Sequence, residues 1–159
     1  MLKGREIRGL PVFAGPDKEE VGRVRDLVVD ERNGLLEAFV VLSSGLWQKS
    51  FLLKTADVSA INKRGVFIAG KECLRSLPKD TPTLSQKGWV GCKLFSDSGL
   101  DKGTVADIFL EENMVTGLEI SKGLVGDLQT GRNFLPWQSV HLEQGNFVEG
   151  KTPFMRDLS

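Results

Sequence analysis

The stretch VGRVRDLVVD at residues 21–30 returns in altered form as KGTVADIFLE at residues 102–111. Both stretches have glycine second, valine fourth, aspartate sixth and an acidic residue tenth, and three apolar residues follow each aspartate. Self-similarity of this kind within one chain indicates related structural units in tandem. The division of the whole sequence follows from this repeat.

Three further segments of the first half reappear in the second half in the same order. They are residues 9–13 and 91–95, residues 51–52 and 134–135, and residues 65–70 and 145–150. The 159 residues are therefore predicted to form two units of about 75 residues each. The predicted bounds are 1–77 for the first unit, 78–87 for a linker and 88–159 for the second unit.

The end of the first unit carries a helical pattern. Cys73, Leu74 and Leu77 have helical spacing, which predicts one or two turns of helix. Pro78 is expected to end that helix because it lacks a backbone N–H. The sequence Thr81-Pro82-Thr83 predicts a short extended connection to the second unit.

Each unit has the pattern of short β-strands separated by turns. Residues 36–42 and 115–120 are apolar runs of strand length, and Asn33-Gly34 is a strong hairpin signal because both residues tolerate positive φ. Strands about ten residues apart indicate a sandwich or a barrel, and closing a small sheet removes its exposed edges. The predicted fold class is all-β, with two tandem units that are each a small sandwich or a barrel.

Composition excludes several classes of protein. Hydrophobic residues are 40% and charged residues 26% of the chain, which argues against disorder and against a coiled coil. The 21 basic residues equal the 21 acidic ones, so direct nucleic-acid binding is not expected. Residues 1–80 carry 14 basic and 11 acidic groups, net +3, whereas residues 81–159 carry 7 and 10, net −3. This difference is expected to orient the units or bias the choice of partner.

The location expected from the sequence is the cytoplasm. No run approaches the roughly 18 apolar residues of a membrane span, and the first residues lack the apolar core of a signal peptide. Cys73 and Cys92 form no CxxC pattern and are expected to be reduced thiols. No amphipathic helix or lipidation motif predicts autonomous membrane binding.

The repeated pattern Gly-x-Val-x-Asp, followed by apolar residues and an acid, resembles the PRC-barrel family in tandem. It occurs at Gly22 to Asp30 and at Gly103 to Glu111, and a Phe-Leu segment and a Gly-x-Phe strand follow each copy. The family includes the barrels of the photosynthetic reaction centre H subunit and of the ribosome maturation factor RimM. The resemblance implies small β-barrels that act as docking modules and have no catalytic residues.

Four residues of the repeat are expected to be structural. Asp26 and Asp107 lie within apolar strands, where an unpaired charge is costly, so each is predicted to accept backbone N–H groups at a turn or bulge. Gly22 and Gly103 hold equivalent positions and are assigned the same structural role. A functional pair of carboxylates is the alternative reading of the two aspartates.

Partner-binding residues are predicted in the hairpin loops, where apolar side chains replace the expected polar ones. These residues are Leu46 and Trp47 in the first unit and Leu124, Val125 and Leu128 in the second. Tryptophan is enriched in binding hot spots. The alternative is that these loops fold over the barrel ends and plug the core. Val40 joins the set because it faces away from Phe39 and Val41, and its counterpart is Glu119.

No catalytic, metal or cofactor site is predicted. His141 is the one histidine, and only Ser139 lies near it in sequence, so nothing supports a catalytic dyad. The Gly-rich stretch at residues 123–132 lacks the Gly-Lys-[Ser/Thr] ending of a phosphate loop. With two cysteines that form no CxxC pattern and one histidine, the sequence predicts no metal site.

The predicted function is that of a non-catalytic cytosolic adaptor that docks other proteins through loop and strand-edge surfaces. An accessory role in RNA processing or ribosome assembly, like that of RimM and acting through protein contacts, is the alternative. Homodimerisation is left open by the sequence, because small β domains with spare apolar surface often associate.

Overall fold

The computed structural model describes residues 1–123 and 133–150. The chain divides into two compact units, the N-terminal unit Leu2–Lys87 and the C-terminal unit, which begins at Gly88. Nearly all regular structure in the described residues is β-strand, and the α-helices there are four residues long. The prediction of an all-β fold is confirmed.

The N-terminal unit contains eight strands, two α-helices and two 3-10 turns. In chain order they are β1 (Leu2–Lys3), α1 (Gly4–Ile7), β2 (Pro11–Ala14), β3 (Glu19–Asp30), β4 (Leu35–Ser43), β5 (Ser50–Lys54), the turn Thr55–Asp57, β6 (Val58–Asn62), β7 (Gly65–Ile68), the turn Lys71–Cys73, β8 (Arg75–Ser76) and α2 (Leu84–Lys87).

The described part of the C-terminal unit repeats the central strands of this order. Its elements are β9 (Lys93–Phe95), β10 (Asp101–Glu111), β11 (Met114–Ser121), β12 (Asn133–Pro136), the 3-10 turn Trp137–Ser139, β13 (Val140–Glu143) and β14 (Asn146–Glu149).

The two units share one strand topology. In the N-terminal unit β3 pairs antiparallel with β2 and β4, β4 with β5, and β6 with β7, while β2 and β7 are parallel. In the C-terminal unit β10 pairs with β9 and β11, β11 with β12, and β13 with β14, while β9 and β14 are parallel. The sequence repeat is therefore also a repeat of topology.

Each unit has its own apolar core. In the N-terminal unit Leu27, Val41 and Leu53 come from three neighbouring strands and are fully buried. In the C-terminal unit the core is more aromatic, since the ring of Trp89 lies 5.2 Å from that of Trp137 and 5.6 Å from that of Phe147. Offset and edge-on ring pairs of this kind add stability beyond the area they bury.

The hairpin turns follow the chemistry of their residues. At Asn33-Gly34 only the glycine has positive φ, and the N–H of Gly34 donates to the carbonyl of Asp30, so the turn is wider than a two-residue hairpin. The equivalent turn of the C-terminal unit is tighter, because Glu112 and Asn113 both have positive φ. Gln144-Gly145 forms a similar tight turn between β13 and β14, because both residues have positive φ.

The segment between the units differs from the expectation. The helix predicted around Cys73–Leu77 is a single 3-10 turn followed by the short strand β8, because Phe51 and Leu52 of β5 pair with Ser76 and Arg75. Residues 78–87, predicted to be a linker, belong to the N-terminal unit. They end in α2, whose first residue, Leu84, is buried.

Candidate functional site

The loop between β4 and β5 presents two large apolar side chains to solvent. Leu46 is 97% exposed and Trp47 is 92% exposed. An exposed tryptophan next to an exposed leucine is unusual, because burying such side chains away from water normally lowers the free energy. Of the two readings that the sequence left open for Leu46 and Trp47, the structure excludes the plug, because neither side chain packs into the core.

Hydrogen bonds fix the root of this loop. The N–H of Ser43 donates to the carbonyl of Lys49 at 2.8 Å, and the N–H of Lys49 donates to Oγ of Ser43 at 3.0 Å. The N–H of Ser44 donates to the carbonyl of Val21 on β3 at 3.0 Å. The 44–48 loop therefore leaves the sheet from an anchored base, and Leu46 and Trp47 are presented from a defined position.

Gly45 allows the chain to turn at the start of the loop. Its φ is 110°, a conformation that side chains rarely adopt, and an added Cβ would meet no atom within 4 Å. The requirement for glycine here is thus conformational rather than steric. The sequence pattern Gly-Leu-Trp gives a turn followed at once by the two exposed side chains.

A pocket of about 280 Å³ adjoins the root of the loop. Its apolar walls are Val21, Phe51 and Leu74, and Ser43 and Ser44 close the side nearest the loop. This pocket could not be predicted from the sequence, because its residues come from four separate segments of the chain.

A second concave surface of about 680 Å³ lies on the N-terminal unit. Val28, Ala38 and Leu52 contribute apolar surface, and Pro78 and Pro82 belong to the segment that borders it. Sequence reasoning missed this groove because it assigned those prolines to a free linker. Its rim carries charges of both signs, including Glu37, Lys54, Lys79 and Asp80, and favours no single ligand charge.

Val40 is covered within the chain and is only 3% exposed. It forms a cluster with Val28 and Ala38, and Leu52 and Leu77 pack against that cluster. The expectation that Val40 is open to a partner is therefore corrected. Its counterpart Glu119 is also buried.

The residues Leu124, Val125 and Leu128, predicted to bind a partner in the second unit, lie outside the described residues. Their assignment rests on their position in the repeat, between β11 and β12, where the N-terminal unit has the 44–48 loop. Their role stays a prediction.

Asp26 and Asp107 occupy equivalent bulges in the longest strands. The register shifts between Val24 and Asp26 in one unit and between Val105 and Asp107 in the other. Oδ1 of Asp26 accepts the N–H of Leu27, and Oδ1 of Asp107 accepts that of Ile108, both at 2.8 Å. Both carboxylates are buried and have the backbone contact that a structural role requires.

Asp26 makes two further contacts within its unit. Nη2 of Arg8 lies 3.3 Å from Oδ1 of Asp26, and the N–H of Ser85 donates to the same oxygen at 3.4 Å. The carboxylate thereby joins β3 to the residues around α1 and α2. Contacts of this kind are those of a structural acid.

Gly22 and Gly103 let neighbouring strands approach closely. A Cβ on Gly22 would lie 2.5 Å from the carbonyl oxygen of Leu42, and one on Gly103 would overlap the carbonyl oxygen of Ser121. Gly103 also has a φ of 125°, which favours glycine by itself.

The described residues bring together no catalytic or metal constellation. Nε2 of His141 lies 3.2 Å from Oε2 of Glu143, while Oγ of Ser139 donates to the carbonyl of Pro136, so the serine and the histidine do not pair. No group of three or more His, Cys, Asp or Glu side chains within residues 1–123 and 133–150 could hold a metal ion. No helix among those residues is long and apolar enough to cross a membrane.

Comparison with known proteins identifies the repeated unit. The profile of the PRC-barrel domain matches residues 1–72 and again residues 86–148. No curated protein matches the sequence. The two matched segments cover both copies of the repeated topology, from β1 to β7 and from β9 into β14. The chain therefore belongs to the PRC-barrel family and carries two tandem copies of its domain.

Proposed function

We propose that this protein is a non-catalytic adaptor that docks another protein through the 44–48 loop. One observation carries the proposal, namely that Leu46 and Trp47 are almost fully exposed on a loop with a hydrogen-bonded base. Ordering a flexible loop on binding weakens the binding free energy, whereas a loop that is already anchored avoids much of that cost. Buried tryptophan contacts are among the strongest at protein interfaces.

The family supports the same reading. PRC-barrel domains are in general non-enzymatic and serve interaction or scaffold roles. Under this proposal Leu124, Val125 and Leu128 form the corresponding anchor set of the second domain, because they hold the equivalent place in the repeat. Two domains would then let one chain engage two surfaces at once, as an adaptor requires.

The proposal places the adaptor in the cytoplasm. Cys73 and Cys92 are both free thiols, which fits a reducing compartment better than an oxidising one. Fractionation of native cells and detection of the protein in the cytoplasmic fraction checks this part.

The test is affinity capture of tagged full-length protein from lysate of its native cell, after nuclease treatment. The variant Leu46→Ser/Trp47→Ser is compared with the wild type and with Leu100→Ser, a control that changes a leucine 69% exposed on the other unit. We expect a protein that is retained by the wild type and the control and is depleted at least tenfold from the double variant.

If the double variant recovered every captured protein as well as the wild type does, the proposal would be contradicted. Ribosomal proteins that are captured from untreated lysate and disappear after nuclease treatment would point instead to the RNA-processing alternative.

A further inference from the structure

We infer that the protein bound by the 44–48 loop presents carboxylate side chains around an apolar depression. This inference rests on the proposed function and adds the chemistry of the partner. The apolar part of the surface is Leu46 and Trp47. The charged part is a pair of cations at the base of the loop, Lys49 and Arg25.

Lys49 follows the loop directly and is exposed. Its Nζ lies 5.5 Å from the centroid of the Phe51 ring, a cation–π contact that favours this position of the ammonium group. Its backbone N–H and carbonyl both bond to Ser43. Backbone and side-chain contacts thus hold the positive charge at the base of the loop that carries Leu46 and Trp47.

Arg25 adds a second positive charge near the base of the loop. Its Nη1 donates to Oγ of Ser50, the residue after Lys49, at 3.2 Å. That hydrogen bond uses one of the five guanidinium N–H groups and leaves others for a carboxylate. Within residues 1–123 and 133–150 neither Arg25 nor Lys49 forms an ion pair.

Two acidic residues that line the adjoining pocket, Glu19 and Glu20, are paired with basic residues. Oε1 of Glu19 lies 3.1 Å from Nζ of Lys71, and Oε1 of Glu20 lies 3.3 Å from Nη2 of Arg23. Each of these pairs cancels in charge, whereas Arg25 and Lys49 at the base of the loop have no ion-pair partner among the described residues. The net +3 of residues 1–80 has the same sign.

Charge complementarity then fixes the chemistry of the partner. Opposite charges at the rim of an interface speed association and exclude partners of like charge, while the apolar centre supplies most of the binding free energy. Rim contacts of this kind weaken as salt screens them. The partner should therefore carry Asp or Glu around the depression that receives Leu46 and Trp47.

The test uses the full-length protein with a photoreactive benzoylphenylalanine in place of Gln48, an exposed neighbour of Trp47. Cross-links formed in native lysate are mapped by mass spectrometry at low and high salt. The probe is combined with Arg25→Glu/Lys49→Glu, with Leu46→Ser/Trp47→Ser, and with the control Lys63→Glu/Arg64→Glu. That control makes the same change of charge in the exposed turn between β6 and β7.

The expected result is a cross-linked protein segment flanked by Asp or Glu. Its yield should fall about tenfold with Arg25→Glu/Lys49→Glu and at high salt, but not with the control. Exchanging the partner's mapped acids for Lys should restore cross-linking to the charge-reversed variant, which a general loss of folding could not produce.

Two outcomes separate this inference from the proposed function. A cross-link that needs Leu46 and Trp47 but ignores charge reversal and salt would overturn the inference and leave the adaptor intact. The absence of any cross-link that depends on Leu46 and Trp47 would overturn both. A cross-link to phospholipid or nucleic acid instead of protein would also overturn the inference, since the acidic groups would then be phosphates.

Discussion

At each of the two bulges a buried carboxylate accepts the N–H of the residue that follows it. The extra residue of a bulge leaves a backbone group without its ladder partner, and a short acidic side chain can replace that partner. The same solution in both domains explains why aspartate stands inside an otherwise apolar strand. The position is set by backbone chemistry within each domain.

Replacing Asp26 or Asp107 with Ala should therefore destabilise the protein. The buried N–H of Leu27 or Ile108 loses its acceptor, which costs about 1–3 kcal/mol of unfolding free energy. Asp→Asn keeps a carbonyl acceptor and should cost less. Urea denaturation measures both, with the exposed Asp97→Ala as control. Equal losses for Ala and Asn would show that the N–H contact is not what matters.

Gly22→Ala and Gly103→Ala should each lower stability by about 1–3 kcal/mol, because the new Cβ meets a carbonyl oxygen of the neighbouring strand. Gly103→Ala should cost more, since it also strains a φ of 125°. Gly99→Ala is the matched control, with a positive φ but open space around the Cβ. Thermal unfolding ranks the three, and a control as damaging as Gly103→Ala would contradict the steric argument.

At the scale of single elements, the 44–48 loop is the part of a β-hairpin that exposes Leu46 and Trp47 to solvent. Its base is joined by hydrogen bonds to β3 and across the hairpin, while its tip makes no core contact. The hydrogen bonds that hold the base of the loop do not involve the side chains exposed at its tip. A change at the tip should consequently affect binding without affecting the fold.

Trp47→Ala should change the unfolding free energy by less than about 0.5 kcal/mol, as exposed sites usually do. Trp89→Ala, which removes a fully buried ring, should cost about 3–5 kcal/mol. Denaturant titration of the two variants makes the comparison within one residue type. A large loss of unfolding free energy for Trp47→Ala would support the alternative interpretation, in which the loop plugs the core.

Asp101, the first residue of β10, has a carboxylate with a lowered pKa. The N–H of Gly103 and then the ammonium group of Lys93 stabilise ionised Asp101 and lower its pKa. A lowered pKa in the folded state means that Asp101 contributes stability above its unfolded pKa. That contribution is lost as the pH falls through the folded pKa.

NMR titration should place the pKa of Asp101 below that of a free aspartate. Lys93→Ala should raise it only part of the way back, because the N–H of Gly103 remains. A complete return to the ordinary value in Lys93→Ala would assign the whole effect to the ion pair. An aspartate in a short unstructured peptide, titrated under the same conditions, serves as the reference.

At the scale of the whole molecule, the N-terminal unit extends ten residues beyond its last predicted position, through α2. Leu84 is buried, and the N–H of Ser85 donates to Asp26 of β3. Residues 78–87 thus behave as part of a folded domain. They also form one border of the groove.

A fragment of residues 1–87 should accordingly be more stable than a fragment of residues 1–77. Loss of the buried Leu84 side chain alone costs about 1.5–3 kcal/mol. Urea unfolding of both fragments checks this, with Leu84→Ala in the longer one as a control for that single side chain. Equal stability of the two fragments would show that residues 78–87 add nothing to the domain.

The sequence by itself determined the repeat, the all-β class and the places of the special residues. A repeated pattern such as Gly22 to Asp30 and Gly103 to Glu111 is local, so its spacing is visible without any fold. The buried aspartates were predictable for the same reason, since an acid inside an apolar run needs a partner wherever the strand lies.

Only the tertiary structure decided exposure, because exposure depends on what distant segments cover. Leu46 and Val40 are both apolar residues at or beside a hairpin, yet one is open to solvent and the other is covered in a cluster with Leu77 packed against it. The helix expected around Leu77 gave way to β8, since pairing with β5 outweighed a weak local preference. Local patterns fix what a segment can form, whereas contacts between segments fix what it shows to a partner.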